Sequence, residues 1–230
     1  MSNLRLHPVS HGPLFPIPAY KRGFTAALLV AVSIISVFIL ASPVLAHHPL
    51  GGELPANWVE GFQSGLAHPI LGPDHFVFVI AVGLLASIKP RGWSILLAFI
   101  ATGLVGSGIH LMALDLPNPE FFISASVLIF GLMLAIKNGP NVIVLSGLAA
   151  IAGLFHGYAY GEAIIGAEPT PLAAYLIGFS LIQLAIALLS FRISQSVLQK
   201  NAKQPLLTLQ SVGFAISGAG AAFLSSVVLG

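Results

Sequence analysis

The sequence predicts an all-α integral membrane protein, in which a cleavable signal peptide is followed by a six-helix transmembrane bundle. Hydrophobic residues make up 57% of the 230-residue chain and charged residues only 7%, whereas soluble domains carry about 25% charged residues. The apolar runs are continuous and approach the ~20 residues that a helix needs to cross a bilayer, unlike the short alternating runs of a β-barrel. This composition excludes a disordered chain and a nucleic-acid binder with a basic surface.

The N-terminal segment has the pattern of a secretory signal peptide. A basic stretch precedes the apolar run 23–42, and Val44 and Ala46 supply the small residues that a cleavage site requires. We expect residues 1–46 to be removed, leaving 47–230 as a six-span membrane transporter domain. An uncleaved anchor helix is the alternative, because this apolar run is longer than that of most signal peptides.

Six further apolar segments follow, and prolines or a Gly-Pro pair separate them. Most have about the length of a membrane span, and the third is short. The predicted spans are, roughly, Trp58–Ile88, Trp93–Leu114, Glu120–Ile136, Asn141–Ile165, Leu172–Phe191 and Leu206–Leu229. The segment between the fifth and sixth spans is expected to be the longest loop.

The charges between these spans alternate in sign and predict an orientation. Basic residues follow the first, third and fifth spans, and the other connections carry acids alone. The basic residues are Lys89, Arg91, Lys137, Arg192, Lys200 and Lys203. The positive-inside rule places the basic loops in the cytoplasm. We therefore expect a multi-pass protein of the plasma (inner) membrane, with the mature N-terminus and the C-terminus on the outer (periplasmic) face.

The first span carries ionisable residues at a predicted break. His68, Asp74 and His75 lie among apolar residues, with Gly72 and Pro73 between the two histidines. Proline and glycine invite a kink or break, and irregular backbone at membrane depth is tolerated where it lines a cavity. Since a charge inside the bilayer is costly, these residues predict a functional site. Asp74 could ligate a cation directly, or orient a ligating histidine.

The fourth span repeats the same spacing of a histidine and an acid, here His156 and Glu162. Gly153, Gly157 and Gly161 form a stripe of small residues, which is typical of close helix packing. Because the first and fourth spans each open a set of three, and three is an odd number, these two spans run in opposite directions. Two inverted three-helix halves are therefore one interpretation, and paired motifs of this kind indicate the binding site of a transporter.

Three more histidines are candidate metal ligands. His110 lies near the outer end of the second span, where it is either a ligand or a solvated side chain. His47 and His48 would begin the mature chain beside a free α-amine. Imidazole and carboxylate ligands without cysteine disfavour Cu(I), and several imidazoles disfavour Mg²⁺ and Ca²⁺. Ni²⁺, Co²⁺ and Zn²⁺ remain.

Two motifs resemble those of the HupE/UreJ family of nickel and cobalt permeases. The run HPILGPDH (68–75) is similar to the family's first signature, and FHGYAYGE (155–162) is similar to its second. The resemblance covers nearly all of the mature chain. It implies that the metal-associated residues are His68, Asp74, His75, His156 and an acid after the second glycine of the second motif.

The second motif departs from the family pattern at this acid. Glu162 follows Gly161 directly, whereas the common signature has one residue between them. Either Glu162 serves one position early, or the more distant Glu168 serves instead.

The expected function is a secondary permease that imports Ni²⁺ or Co²⁺ as its substrate and requires no cofactor. The expected partners are a divalent transition-metal ion and the lipid bilayer, with no nucleic acid and no nucleotide, because no P-loop motif occurs. A homo-oligomer is left open, as are the choice of metal and the coupling ion. We do not expect an enzyme. The alternatives are an intramembrane His-ligated metalloenzyme, although no H-E-x-x-H motif occurs, and a bis-His haem electron carrier.

Overall fold

The computed structural model describes residues 53–200 and 205–230. Within these residues the chain forms seven α-helices and no strand, which confirms the predicted all-helical architecture. The predicted signal peptide, the histidines at 47 and 48, and Lys203 lie outside the described residues.

Each predicted span coincides with one helix, except the first, which contains two. In chain order the helices are α1 (Trp58–Leu71), α2 (Pro73–Ser87), α3 (Trp93–Leu111), α4 (Pro119–Ala135), α5 (Val142–Glu162), α6 (Pro169–Lys200) and α7 (Pro205–Leu229).

The helices that carry the two motifs, α1 and α5, both begin at an asparagine cap. The side chain of Asn57 accepts a hydrogen bond from Glu60 N over 3.0 Å, and Glu60 in turn accepts from Ala56 N over 2.7 Å. Asn141 accepts from the amides of Ile143 and Val144 at the start of α5. These caps satisfy amides that have no partner inside the helix, and they fix where each helix starts.

The first predicted span is broken between α1 and α2. The two helices are bent by 80° at Gly72, whose backbone is extended. Pro73 then occupies the first turn of α2, where the missing proline amide is tolerated. The predicted break at Gly72 and Pro73 is confirmed, whereas α5 continues through its glycine stripe to Glu162 without interruption.

The fifth predicted span extends well beyond its expected end at Phe191. Helix α6 continues to Lys200, so only residues 201–204 separate it from α7. The expectation of a long loop there is wrong. The physical reason is that no glycine or proline occurs between Gly178 and Pro205, so nothing in the sequence ends the helix where its apolar stretch gives way to polar residues.

Four of the described helices, α3, α5, α6 and α7, are long and apolar enough to cross a membrane, and α1 with α2 adds a fifth span if the pair is one bent span. Helix α4 is apolar but has 17 residues. That is about 26 Å at 1.5 Å per residue, against a hydrocarbon core of about 30 Å. The structure therefore indicates a multi-pass membrane protein, and the count of six spans stays a prediction.

Close contacts between glycines and neighbouring backbone hold the bundle together. The most extensive pairings are α3 with α5, α4 with α7, and α6 with both α1 and α2. A Cβ added to Gly157 of α5 would collide with the carbonyl oxygen of Gly103 in α3, and one on Gly65 of α1 would collide with that of Tyr175 in α6. Ser107 of α3 also donates a hydrogen bond to the Gly157 carbonyl over 2.7 Å. The prediction that the α5 glycines serve helix packing is confirmed.

Helix α2 lies at the centre of the bundle, because it contacts α1, α3, α4, α6 and α7. Nearly every side chain from Val77 to Ala86 is buried, including Phe78, Val79 and Leu85 at 0% exposure. Since α2 begins at the break, its first turn presents His75 to the middle of the protein.

Candidate metal site

The two motif histidines His75 and His156 meet in the protein interior. His75 lies in the first turn of α2 and His156 in the second half of α5. Their Nδ1 atoms are 2.7 Å apart, and the two side chains are 2% and 0% exposed. The fold thus brings both sequence motifs together through a direct contact between imidazole rings.

A chain of hydrogen bonds orients His156 from helix α4. His156 Nε2 lies 3.0 Å from the hydroxyl of Ser126, which donates its single proton to the carbonyl oxygen of Ile123 over 2.6 Å. Because that proton is already used, His156 Nε2 must be the donor to Ser126, and a neutral His156 then carries its lone pair on Nδ1. It follows that His75 Nδ1 donates to His156, which leaves the lone pair of His75 on Nε2.

A parallel arrangement orients His68 from helix α6. The hydroxyl of Tyr175 donates to the carbonyl oxygen of Tyr160 over 2.8 Å and lies 2.9 Å from His68 Nδ1. By the same reasoning His68 Nδ1 donates to Tyr175, and the lone pair of a neutral His68 lies on Nε2. Partners that fix the tautomer of an imidazole in this way are typical of histidines that ligate a metal.

Aromatic rings enclose the three histidines. Tyr160 lies against both His68 and His75, with ring centroids 5.0 and 4.5 Å apart, and the His68 and His75 rings are 5.8 Å from each other. Phe78 stacks on His156 at 4.4 Å. We call His68, His75 and His156 the histidine cluster. Aromatic rings therefore form much of its walls, and residues 58–88 and 142–162, which carry the three histidines, contain no lysine or arginine.

Asp74 lies beside the histidine cluster, at the start of α2. It is half-buried, and its Oδ1 accepts a hydrogen bond from the backbone amide of His75 over 2.8 Å. A carboxylate in the first turn of a helix is favoured by the exposed amides there. This contact gives Asp74 a structural role at the start of α2.

His110 lies outside the histidine cluster. It occupies the last turn of α3, and its ring packs against that of Tyr158 at 4.1 Å. The Tyr158 hydroxyl reaches Asp115 over 3.4 Å. His110 Nδ1 is buried and makes no hydrogen bond to the described residues. The structure therefore places this predicted ligand in a separate position, beside an acidic connection.

The two acids that compete for the second motif are both remote from the cluster. Glu162 is the last residue of α5, and Glu168 precedes α6. Both side chains are exposed. The structure thus brings neither acid to the histidines, and the choice between them stays open.

Comparison with known proteins agrees with the two motifs. Residues 35–223 match the family described as HupE / UreJ protein. This chain belongs to the HupE/UreJ family. A curated relative, "Protein HupE" of Rhizobium leguminosarum bv. viciae, is 28% identical over 189 residues, which cover 80% of this chain and 93% of the relative. No solved structure matches. The resemblance is confirmed, and membership in HupE/UreJ supports a membrane metal permease in general.

The three histidines of this HupE/UreJ protein lie close together, but their nitrogen atoms are not arranged around a single position for a metal ion. Among residues 53–200 and 205–230, no three His, Cys, Asp or Glu side chains are grouped so that they could hold one metal ion. The Nδ1 atoms of His75 and His156 are joined by a hydrogen bond of 2.7 Å, so the His156 lone pair is available to a metal ion only when that hydrogen bond is broken.

Three residues of the site could not be singled out from the HupE/UreJ motifs. Ser126 and Tyr175 orient the histidines from α4 and α6, and Tyr160 forms a wall between His68 and His75. Tyr160 does lie inside the second motif, so its position was a usable signal. A serine or tyrosine in an apolar span carries no such signal, because its partner is set by the helix packing.

Proposed function

We propose that this HupE/UreJ protein is a secondary permease that imports Ni²⁺ or Co²⁺ through an intramembrane site formed by His68, His75 and His156 with Asp74 beside them. The observation that carries the proposal is the buried contact between His75 and His156, which joins the two sequence motifs at the centre of an apolar bundle. Ionisable groups inside membrane helices are costly to insert, and they usually mark the path of a substrate or an ion.

The donor set supports a borderline transition-metal ion as the substrate. The cluster offers imidazole nitrogens and no sulfur, since the chain contains no cysteine. Soft ions such as Cu(I) prefer sulfur, and Mg²⁺ and Ca²⁺ prefer shells of oxygen ligands. Zn²⁺ fits the same ligands, so the preference for Ni²⁺ or Co²⁺ rests on membership in HupE/UreJ.

The histidine tautomers supply two kinds of ligand atom. The lone pairs on Nε2 of His68 and His75 are set by hydrogen bonds on the opposite side of each ring. Nδ1 of His156 becomes a ligand when the N–H group of His75 no longer donates a hydrogen bond to it. Metal binding therefore replaces a histidine–histidine hydrogen bond and holds all three rings in the neutral form.

The membrane potential is sufficient to drive uptake without ATP. Moving one elementary charge across 100 mV is worth about 2.3 kcal/mol, so a divalent cation gains about 4.6 kcal/mol. This supports a permease in which the protein provides a route and a site, and the potential provides the direction.

The geometry disfavours the haem alternative. A bis-His haem places its porphyrin between the two histidine rings, whereas the His75 and His156 rings are in direct contact, with their Nδ1 atoms 2.7 Å apart. For a metalloenzyme, a general base would have to lie beside the metal. Asp74 is the acid next to the cluster, and its Oδ1 is already bonded to its own helix.

The test is uptake of radioactive Ni²⁺ and Co²⁺ in a host that lacks its own nickel and cobalt transport, each ion competed with the other and with Zn²⁺. His75→Ala and Asp74→Asn should lower uptake at least tenfold at normal membrane abundance. Ser180→Ala is the matched control, because within the described residues its hydroxyl bonds only to Leu176 of its own helix. Wild-type uptake by Asp74→Asn would leave Asp74 as a structural acceptor, and absence of uptake by the wild type would refute the permease.

We further propose that the protein lies in the plasma (inner) membrane with its mature N-terminus and its C-terminus outside, and that His47 and His48 capture metal at the outer surface. Replacing both histidines should raise the concentration for half-maximal uptake and leave the maximal rate mostly intact. Unchanged kinetics would assign them to a plain polar N-terminus.

A further inference from the structure

Gln183 of α6 is a buried polar group that the histidine cluster does not explain. Its side chain is 1% exposed, and neither its Nε2 nor its Oε1 makes a hydrogen bond to any described residue. An amide without a hydrogen bond is strongly disfavoured in an apolar interior, and most of all within a membrane, where no bulk water can serve it. A buried group of this kind indicates a ligand or an ordered water as its partner.

Gln183 lies in the middle of the face that α6 presents to α1 and α2. On one side of it, Phe179 N lies 2.9 Å from the position of a Cβ on Gly65 of α1. On the other side, Ser190 Cβ lies 2.9 Å from the position of a Cβ on Gly83 of α2. At 100° per residue, both Phe179 and Ser190 fall within about 40° of Gln183. Gln183 therefore lies between the level of Gly65 in α1 and the level of Gly83 in α2.

Towards the N-terminus of α6, this face leads to the histidine cluster. Phe179, one turn before Gln183, packs on Tyr160 with ring centroids 5.1 Å apart. Tyr175, two turns before Gln183, is the hydrogen-bond partner of His68. The distance from Tyr175 to Gln183 along the helix is about 12 Å. Gln183 is therefore close enough to receive an ion that leaves the histidine cluster.

Towards the C-terminus of α6, the same face carries further neutral oxygen groups. Ser190 and Ser194 are 7% and 1% exposed and lie within about 20° of Gln183 on the helix. The Ser194 hydroxyl is hydrogen-bonded to that of Ser87, in the last turn of α2, at 2.6 Å. Gln183, Ser190 and Ser194 thus place buried oxygen atoms along one face of α6, and the last of them meets Ser87 at the predicted cytoplasmic end of α2.

We propose that the side-chain oxygen of Gln183 forms a second, weaker subsite for the transported divalent cation, on the inner side of the histidine cluster. This inference rests on the proposed function. An amide oxygen binds a divalent cation directly or through one water, without the charge of a carboxylate. Transport requires sites that bind enough to accept the ion and release it again, and a neutral oxygen after three imidazoles meets that requirement.

The experiment compares Gln183→Leu with the wild type in proteoliposomes, using radioactive Ni²⁺ for initial uptake and for equilibrium binding. Leucine keeps the volume and removes the amide oxygen. We expect the dissociation constant at the histidine cluster to change less than twofold and the initial uptake rate to fall at least tenfold. Gln195→Leu is the matched control on the same helix, because Gln195 is only half-buried, and it should transport like the wild type.

Gln183→Glu provides an independent second test. A carboxylate at this position should hold the cation, so the protein should retain more Ni²⁺ at equilibrium and release it at least tenfold more slowly than the wild type. Unchanged release would overturn the subsite, whatever the behaviour of the leucine variant.

Two outcomes separate this inference from the proposed function. If wild-type proteoliposomes neither bind nor accumulate Ni²⁺, the proposed permease fails and the subsite fails with it. If the wild type and Gln183→Leu transport Ni²⁺ equally and Gln183→Leu also has a higher melting temperature, the permease stands and the subsite is wrong. Gln183 would then be an unsatisfied amide whose removal stabilises the fold.

Discussion

The lone pairs of His156 and His68 are each set by a backbone carbonyl two hydrogen bonds away, and that of His75 by a carbonyl three hydrogen bonds away. The Ile123 carbonyl acts through Ser126 on His156, and the Tyr160 carbonyl acts through Tyr175 on His68. A carbonyl can only accept, so each chain has one direction, and the nitrogen that faces the cluster must carry the lone pair. The hydroxyl groups thereby fix which nitrogen of each neutral ring carries the lone pair.

The sequence predicted the histidines of the site but not the groups that orient them. His68, His75 and His156 are identified by their rarity in apolar spans and by their spacing to an acid. Ser126 and Tyr175 belong to residue types that are common in membrane helices, and they reach the cluster only because α4 and α6 pack against α2. Glu162 shows that spacing alone can also mislead. It has the same spacing from a histidine as Asp74 has from His68, yet it lies exposed at the end of its helix.

Replacing Tyr175 with phenylalanine tests the orienting role of its hydroxyl. The ring and its packing on Phe179 are kept, and the bond that fixes His68 is lost. Loss of such a partner typically costs 10–100-fold in metal affinity. We expect the dissociation constant for Ni²⁺, measured by equilibrium binding to purified protein, to rise by about tenfold or more.

The control for this change is Tyr158→Phe, whose hydroxyl reaches Asp115 instead of the cluster. Equal affinity in the wild type and Tyr175→Phe would mean that the packing of the rings alone orients His68.

The same reasoning predicts how uptake depends on pH. Imidazoles bind a metal only in the neutral form, and the reference pKa of histidine is about 6.5. Protons therefore compete with the cation at low pH. The imidazoles bind the metal ion more weakly as the proton concentration rises, and bind protons more weakly as the metal-ion concentration rises. We expect the initial rate of Ni²⁺ uptake to fall as the external pH drops through about 6, and to recover in part at higher Ni²⁺ concentration. A rate that is constant between about pH 5 and 7 would mean that protons do not compete with the cation for the imidazoles in this range, and the prediction would be wrong.

At the scale of single elements, the break between α1 and α2 is what carries His75 into the cluster. Pro73 starts a new helix after Gly72, and the 80° bend aims the first turn of α2 at α5. Proline and glycine act locally, so the sequence predicted this break directly. The sequence does not predict the full length of α6, because that length depends on the absence of a stop signal beyond Phe191. The polar residues that follow Phe191 are also typical of a loop.

Gly72 is required at the break for a steric reason. A Cβ there would lie 2.7 Å from Cδ2 of His75 and 3.5 Å from Oδ1 of Asp74. Because the His75 ring is already enclosed by Tyr160 and His156, it cannot retreat without leaving its place. We expect Gly72→Ala to lower Ni²⁺ uptake at least tenfold, with a modest loss of stability of about 1–3 kcal/mol as for other overpacked sites.

The matched control is Gly147→Ala in α5, because no atom of residues 53–200 or 205–230 lies within 4 Å of its added Cβ. Uptake and melting temperature should be measured on both variants at equal membrane abundance. Normal uptake by Gly72→Ala would show that His75 can move freely, and the steric explanation would fail.

At the scale of the whole molecule, the contacts of α6 favour one bent span for α1 and α2 over a re-entrant loop. Gly61 of α1 packs on Pro171, and Ser87 at the end of α2 is bonded to Ser194. These two contacts are about 34 Å apart along α6. The pair therefore follows α6 in one direction for more than the ~30 Å of a hydrocarbon core.

The helix pairings also have the pattern that two inverted halves would produce. In such a repeat, the first span corresponds to the fourth, the second to the fifth and the third to the sixth. The pairing of α3 with α5 then maps onto the pairing of α6 with α1 and α2, and the pairing of α4 with α7 maps onto itself. These are the three most extensive pairings. The inverted halves remain a prediction, because α5 lacks the break that divides the first span.

Reporter fusions decide the topology that all of these arguments assume. If the first span crosses the membrane and the basic loops follow the positive-inside rule, fusions at Lys89, Lys137 and Lys200 should be cytoplasmic. Fusions at Pro117 and at the C-terminal residue 230 should be external. A re-entrant α1–α2 pair would return the chain to its starting side, so Lys89 would share the side of Trp58. An external signal at Lys89 would thus exclude the bent span, and the Gln183 subsite would no longer lie between the histidine cluster and the cytoplasm.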